Sequence, residues 1–223
     1  MKKFITVLII FALIFMILLC FSCSNKSIDS SIISVGLNHT LIIKNDGSLW
    51  TWGDNSRGQL GNGSTSNKST PVKIMEDVVS VCAGYNHSLA IKNDGTLWAW
   101  GGNLKGQLGD GTTENKSKPV QIMEDVIAIA AGENYSFAIK NDSTLWAWGN
   151  NESGQLGDGT TENKSTPVKI LDGVTSIITS TNYNLAIKKD GSLWTWGENL
   201  KGKLGDGTTE NKIVPVQIMD GLN

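Results

Sequence analysis

The 223-residue sequence contains one arginine, Arg57, and two histidines, and its 19 basic residues are balanced by 21 acidic ones. A surface that binds phosphate groups needs clustered basic side chains, and the sequence has no such cluster. We therefore do not expect nucleic acid as a partner. The sequence also lacks a recognisable combination of nucleophile and base, so we expect that the protein is not an enzyme.

Cysteine is equally scarce, with Cys20, Cys23 and Cys82 as the three examples. Only Cys82 lies beyond the N-terminal segment, so no disulfide framework is predicted. A phosphate loop is not predicted either, because Gly197–Leu204 fits the pattern G-x-x-x-x-G-K but has leucine where serine or threonine is needed. The loop at residues 110–115 lacks the acidic spacing of an EF-hand. We expect no cofactor and no bound metal.

The N-terminal segment is typical of an export signal. Lys2 and Lys3 precede an unbroken apolar run from residue 4 to residue 19, and Ser22-Cys23 follows. This order resembles a bacterial lipoprotein signal, although Cys20 stands where that family prefers leucine. The resemblance implies a signal peptide at residues 1–22, a diacylglycerol on the Cys23 thiol and a polar tether at residues 23–30.

Two alternatives remain for this segment. The apolar stretch is close to the ~20 residues that span a bilayer, so it could be an uncleaved membrane anchor. Ordinary secretion is the other alternative. All three interpretations predict export, and the first predicts a lipid-anchored protein at the extracytoplasmic face of the cell membrane.

Every tryptophan of the chain lies in one of four Trp-x-Trp-Gly segments. Successive segments are 48 residues apart, without insertion or deletion. A fixed period of about 20 to 50 residues is typical of repeat architectures, so residues 31–223 are predicted to be four such repeats. The tryptophans, which we expect to form the structural core of the repeats, are Trp50, Trp52, Trp98, Trp100, Trp146, Trp148, Trp194 and Trp196.

The second repeat predicts four strands, at residues 78–83, 88–92, 96–100 and 119–122. The turn Asn93-Asp94-Gly95 has the composition of a tight hairpin. Trp98 and Trp100 lie on one face of the third strand and Leu97 on the other, so both faces are apolar and need a neighbouring sheet. The fourth strand is predicted to be the outer edge, because proline is tolerated there; the four prolines of the chain are Pro71, Pro119, Pro167 and Pro215.

Four antiparallel strands in each unit, apolar on both faces, predict an all-β propeller of four blades. No segment has a sustained helical period. A linear β-solenoid is the alternative fold, but 48 residues with three turns is long for one coil.

The repeat resembles that of the regulator of chromosome condensation. The resemblance rests on Gly84-x-x-His87-Ser-Leu-Ala-Ile, followed by Asp94-Gly-x-Leu-Trp-x-Trp-Gly-x-Asn103-x-x-Gly106-Gln-Leu-Gly-x-Gly. It implies a propeller, commonly of seven blades. Four blades could close into a small ring, remain an open arc or pair with a second copy through the end blades, and the gene could also be truncated.

The two histidines are interpreted as packing residues. His39 and His87 align with Tyr135 and Tyr183 in the other two repeats. A position that accepts either histidine or tyrosine is better explained by packing and hydrogen bonding than by catalysis or metal binding.

The expected function is a non-enzymatic scaffold that presents the loops of its repeats to another protein, whose identity the sequence does not give. The resemblance offers two alternatives: relatives exchange guanine nucleotide on a small GTPase, or inhibit a β-lactamase. The constant spacing leaves no room for the wedge on which the exchange activity depends, so regulation of an exported enzyme is the main alternative, ahead of a propeller enzyme. The residues expected to be most exposed, as an acidic rim for the partner, are Asn62, Asp110, Asp158, Asp206, Glu114, Glu162 and Glu210.

Overall fold

The computed structural model describes residues 32–222. The predicted signal peptide, Cys23 and the tether lie outside these residues. Sixteen strands follow one another along the described part of the chain, and no helix there is long and apolar enough to cross a membrane. The strands are β1 (Ile33–Val35), β2 (His39–Ile43), β3 (Leu49–Gly53), β4 (Lys68–Met75), β5 (Val78–Ala83), β6 (His87–Lys92), β7 (Leu97–Gly101), β8 (Lys116–Met123), β9 (Val126–Ala131), β10 (Tyr135–Lys140), β11 (Leu145–Gly149), β12 (Lys164–Leu171), β13 (Val174–Thr179), β14 (Tyr183–Lys188), β15 (Leu193–Gly197) and β16 (Lys212–Met219).

The strands form four antiparallel sheets of four strands each, in the sequential orders β1-β2-β3-β4, β5-β6-β7-β8, β9-β10-β11-β12 and β13-β14-β15-β16. Each repeat therefore makes one sheet, which we call the first to the fourth sheet. The register is the same in each sheet; for example, Ser88 pairs with Trp100 as Ser136 pairs with Trp148. The predicted all-β propeller with four-stranded blades is confirmed.

The outer strand of each sheet begins earlier than the sequence predicted. In the second sheet it begins at Lys116, three residues before Pro119. The register shifts between the Ala99–Val120 pair and the Gly101–Lys116 pair, so the proline lies in a bulge of an edge strand. A bulge and an edge are the places where a residue without an N–H is tolerated. The first part of this strand could not be predicted from the sequence, because the Lys-Ser-Lys segment before the proline has the composition of a loop and no apolar alternation.

The hydrophobic core lies between sheets. Three clusters join the first sheet to the second, the second to the third and the third to the fourth. In each cluster, leucine and isoleucine side chains of one sheet pack against an alanine and the tryptophan pair of the next. At the second junction, Leu89 and Ile91 contact Ala138 and Trp148 in this way.

The two tryptophans of a pair have different surroundings. Trp148 is completely buried, and its indole N–H donates to the carbonyl of Gln107 in the preceding repeat at 2.9 Å. Trp146 is half-buried and donates to Thr144 in its own hairpin at 2.9 Å. Trp100 and Trp196 repeat the first arrangement. Trp52 differs, because no described sheet precedes it, and it is half-buried.

The four sheets form an open arc. The inner strands β1, β5, β9 and β13 pack on one another in sequence, and no comparable packing joins the first and fourth sheets of the described chain. One face of each end sheet is therefore uncovered by the described residues. The open arc is the second of the three arrangements that the repeat count left undecided.

Candidate functional site

Two kinds of connection emerge at the same edge of every sheet. The short turn between the first and second strands lies near the axis, and the long loop between the third and fourth strands lies farther out. We call this edge the loop face. The tight hairpins and the links between repeats lie at the opposite edge, the hairpin face.

A buried asparagine holds each long loop in shape. The side-chain amide of Asn103 donates to Asp110 and to the carbonyls of Thr112 and Glu114, each at 3.1 Å, and its oxygen accepts from the backbone N–H of Leu108 at 2.9 Å. The same bonds to the aspartate or asparagine seven residues later recur in the other repeats, at Asn55, Asn151 and Asn199. The loops are thus rigid.

The three aspartates of the predicted acidic rim are part of this network. The side chains of Asp110, Asp158 and Asp206 are 6%, 9% and 4% exposed, and Asn62 is half-buried. The expectation that the aspartates are among the most exposed residues is therefore wrong. A carboxylate that accepts bonds inside its own loop has little surface left for solvent.

Hydrogen bonds keep these aspartates ionised. Burial by itself raises the pKa of Asp110, but bonds from the hydroxyl and backbone N–H of Thr112 and from Asn103, with Lys116 nearby, lower that pKa overall. The pKa of Asp158 is lowered in the same way, and that of Asp206 falls to about 2. These groups stabilise their loops as carboxylates.

The three glutamates of the predicted rim are exposed. The side chains of Glu114 and Glu162 are each 81% exposed, and Glu210 is also exposed. Lys116 and Lys164 lie within 3.5 Å of the first two. Ion pairs this exposed contribute little to stability, so the glutamates are free to contact a partner.

The inner part of the loop face carries residues that the sequence analysis did not single out. The inner turns place Leu37, Tyr85, Glu133 and Thr181 in succession. Backbone bonds join the first three: Leu37 N–H donates to Tyr85 O, and Tyr85 N–H donates to Glu133 O. Leu37 is 56% exposed and Tyr85 is 36% exposed.

Two leucines of the long loops extend this surface. Leu104 and Leu200 are 63% and 64% exposed. Leu104 lines a shallow depression together with Arg57, Asn86 and Gln107, so the inner turns and the long loops form one continuous surface. In the sequence, this surface could have been recognised from the variation at one repeat position, because the leucines alternate there with Ser56 and Glu152.

The histidines lie between sheets, buried at the strand ends beneath the loop face. His39 and His87 are 2% and 0% exposed, and their Nε2 atoms lie 2.9 and 3.0 Å from the hydroxyls of Ser88 and Ser136 in the next sheet. Because those hydroxyls donate to backbone carbonyls, each histidine donates from Nε2. Burial lowers the pKa to about 4 for His39 and about 3 for His87. Both are neutral packing residues.

The axis of the arc contains an open cavity of about 430 Å³. Its lining comes from the inner strands and turns, including Val35, Ala83 and Ala131. Within residues 32–222 no three histidine, cysteine or acidic side chains are grouped so as to hold a metal ion.

The model of the RCC1-like domain matches residues 19–223, which is most of the chain. The chain belongs to the RCC1-like domain family. The structure of human WBSCR16 is similar, with a TM-score of 0.73 and 24% identity over 84% of this chain and 52% of that one. Yeast RCC1 (Prp20) bound to Kap60 has a TM-score of 0.74 and 22% identity, over 84% and 48% of the two chains.

This RCC1-like chain thus spans about half the length of the solved structures it matches. A second structure of Prp20p, from Saccharomyces cerevisiae and described with its binding to Gsp1p and histones, has a TM-score of 0.74 and 22% identity over 87% of this chain and 52% of that one. At such identities the likeness shows the fold. It also shows that four sheets of this chain superpose on part of a larger propeller.

Proposed function

We propose that this RCC1-like protein is a non-enzymatic scaffold, held by a lipid on Cys23 at the outer side of the membrane, that binds another protein through its loop face. The observation that carries the proposal is the combination of rigid loops with exposed, variable side chains. Leu37, Tyr85, Leu104 and Leu200 offer apolar contact within an outer row of exposed glutamates. Apolar and aromatic anchors inside a polar rim are the usual arrangement of a protein interface.

The similar structures support a protein as the partner, because yeast RCC1 is bound to Kap60 in one of them. The buried reactive groups of this chain support the non-enzymatic part of the proposal. His39 and His87 are neutral and enclosed, and burial raises the pKa of Cys82 to about 11. None of the three is available as a base or nucleophile at neutral pH.

Truncating the inner loop face should abolish partner binding. We expect the Leu37→Ala/Tyr85→Ala/Leu104→Ala variant to retain at most about a tenth of the partner captured by the wild type, because interface anchors are worth more than 1 to 2 kcal/mol each. Capture by cross-linking at the cell surface and quantitative mass spectrometry measures this. Partner binding unchanged in this variant would contradict the proposal.

Two further variants complete the design. Val79→Ala/Ile127→Ala removes side chains of similar exposure, 49% and 57%, near the hairpin face and should leave capture unchanged. Glu114→Ala/Glu162→Ala/Glu210→Ala tests the outer row separately. We expect slower association that depends less on salt than that of the wild type, with a smaller loss of affinity than in the apolar variant, because rim charges act mainly on the rate of encounter.

The lipid anchor has its own test, independent of the partner. Cys23→Ser should remove metabolic labelling by a radioactive fatty acid. Cys20→Ser is the matched control and should retain the label. Labelling that persists in Cys23→Ser would exclude a lipid on Cys23, and a wild-type protein in the membrane fraction without any lipid label would favour the uncleaved anchor.

A further inference from the structure

The two open faces of the arc are complementary to each other. Each inner junction is built from the leucine face of one sheet and the tryptophan face of the next. The fourth sheet leaves a leucine face uncovered by described residues, with Leu185, Ile187 and Leu193 half-buried, and the first leaves a tryptophan face, with Trp50 and Trp52 half-buried. We propose that two copies of this chain join both pairs of open faces and close a ring of eight sheets.

The exposed apolar residues of the open faces support this pairing. Val35 and Ile178 have the highest exposed fractions among the large apolar side chains described, 69% and 66%. Their repeat positions meet at every inner junction. Ser34 accepts a bond from the N–H of Ala83 at 3.0 Å at the first junction, and Ala131 bonds Cys82 through its backbone at the second. At the proposed seam the same register places Ile178 of one copy against Val35 of the other.

The polar groups of the seam match as well. At the inner junctions, one carbonyl accepts both the tryptophan N–H and the hydroxyl or amide of the neighbouring strand: Gln59 O lies 2.9 Å from Trp100 Nε1 and 2.8 Å from Ser88 Oγ. The corresponding acceptor of the fourth sheet is Lys203 O, and the corresponding donors of the first sheet are Trp52 and Thr40. None of these donors has a partner of this kind among the described residues.

A backbone hydrogen bond in the outer part of each junction gives a further donor and acceptor for the seam. The N–H of Gly111 donates to Ser165 O at 2.9 Å, and Gly63 and Gly159 make the same bond to the next sheet. Gly207 is the fourth member of this set and has no such bond within the described chain. In the closed ring it donates to Ser69 O of the second copy.

Charge complements the geometry. Cβ of Arg57 lies 3.7 Å from the position that a Cβ on Gly102 would occupy, so these two repeat positions are neighbours across a junction. At the seam they are occupied by Lys201 and Asp54. An aspartate of the first sheet thus meets a lysine of the fourth, although the fourth sheet has an acidic residue, Glu198, at the same repeat position as Asp54. In this arrangement the fourth sheet of each copy contacts the first sheet of the other. Such a head-to-tail contact between two copies closes a ring.

Disulfide trapping tests the ring directly. Cβ atoms about 3.5 to 4.5 Å apart suit a disulfide, so Asp54→Cys/Lys201→Cys, in a Cys82→Ala background, should give a covalent dimer when the full chain is oxidised in the membranes of the producing cell. The product should stop at two copies on a non-reducing gel. The matched control, Arg57→Cys/Gly102→Cys, has the same geometry inside one chain and should remain a monomer with an internal disulfide.

Further variants separate the seam from random collisions. Asp46→Cys/Lys201→Cys places one cysteine on the hairpin face and should give no dimer above the single-cysteine variants. Adding Val35→Arg or Ile178→Arg to the trapping pair should reduce the dimer to that background. A gel that shows only monomer would overturn the proposal. This is the result expected if another segment covered the open faces. A ladder of longer species, or a dimer insensitive to both arginines, would overturn the two-copy ring.

Discussion

Replacing Trp148 by alanine should lower the free energy of unfolding by about 3 to 5 kcal/mol, the usual cost of removing a large aromatic side chain from a core. The side chain is fully buried between the second and third sheets, and its N–H bonds to Gln107 O. The carbonyl keeps a second donor, Ser136, so no acceptor is left unpaired. The loss is therefore one of packing, and equilibrium urea unfolding measures it.

The position of the tryptophan in the arc should determine the shape of the transition. In a repeat protein, stability is approximately a sum of units and of the interfaces between neighbours. Trp148→Ala weakens the middle junction and should separate the two halves, whereas Trp196→Ala should release only the fourth sheet at a lower urea concentration. Hydrogen exchange resolves which sheets open together.

Trp52→Ala is the matched control, because this tryptophan occupies the same strand position without a preceding sheet. In dilute solution, where copies are separate, we expect a cost well below that of Trp148→Ala. An equal cost would contradict the assignment of the tryptophans to the junctions, since it would mean that they stabilise their own sheets. A cost that rises with protein concentration would report the proposed seam.

The tryptophan period carries most of what the sequence could predict about the fold. Trp98 and Trp100 alternate with Leu97 and Ala99, and that pattern alone requires a sheet with neighbours on both faces. Fold and strand order followed from it. The open arc could not be predicted, because closure depends on the angle between sheets, which arises from packing along the whole junction.

The loop face was predicted less well, for a physical reason. Asp110 lies in a glycine-rich loop and was expected in solvent, but Asn103, seven residues earlier, encloses it. An asparagine present at this position in all four loops was the signal for a structural clamp. Conversely, Leu104 and Leu200 lie on the surface although they are apolar, and only the variation of their repeat position marks them.

Acid should destabilise the protein well above the pH at which its carboxylates protonate. Burial lowers the pKa of His39 to about 4 and that of His87 to about 3, whereas both titrate near pH 6.5 when unfolded. Between these values the unfolded state binds more protons than the folded state, so stability is complete above pH 6.5 and is lost as the pH falls. The limiting slope for two histidines is about 2.7 kcal/mol per pH unit.

The pH dependence of stability that the histidines cause can be separated from other titrations by its pH range and by substitution. The aspartates of the loops have lowered pKa values, so their contribution is lost only below about pH 4, and urea unfolding between pH 5 and 7 isolates the histidines. His39→Gln/His87→Gln keeps a donor for Ser88 and Ser136 but removes the titration, and it should flatten the dependence whatever its effect on stability at pH 7. Tyr135 shows that a neutral group serves this position, since its hydroxyl donates to Asn184 Oδ1 at 2.9 Å. A slope that survives in the double variant would place the acid-sensitive group elsewhere and contradict the role of the histidines as buried, neutral links between sheets.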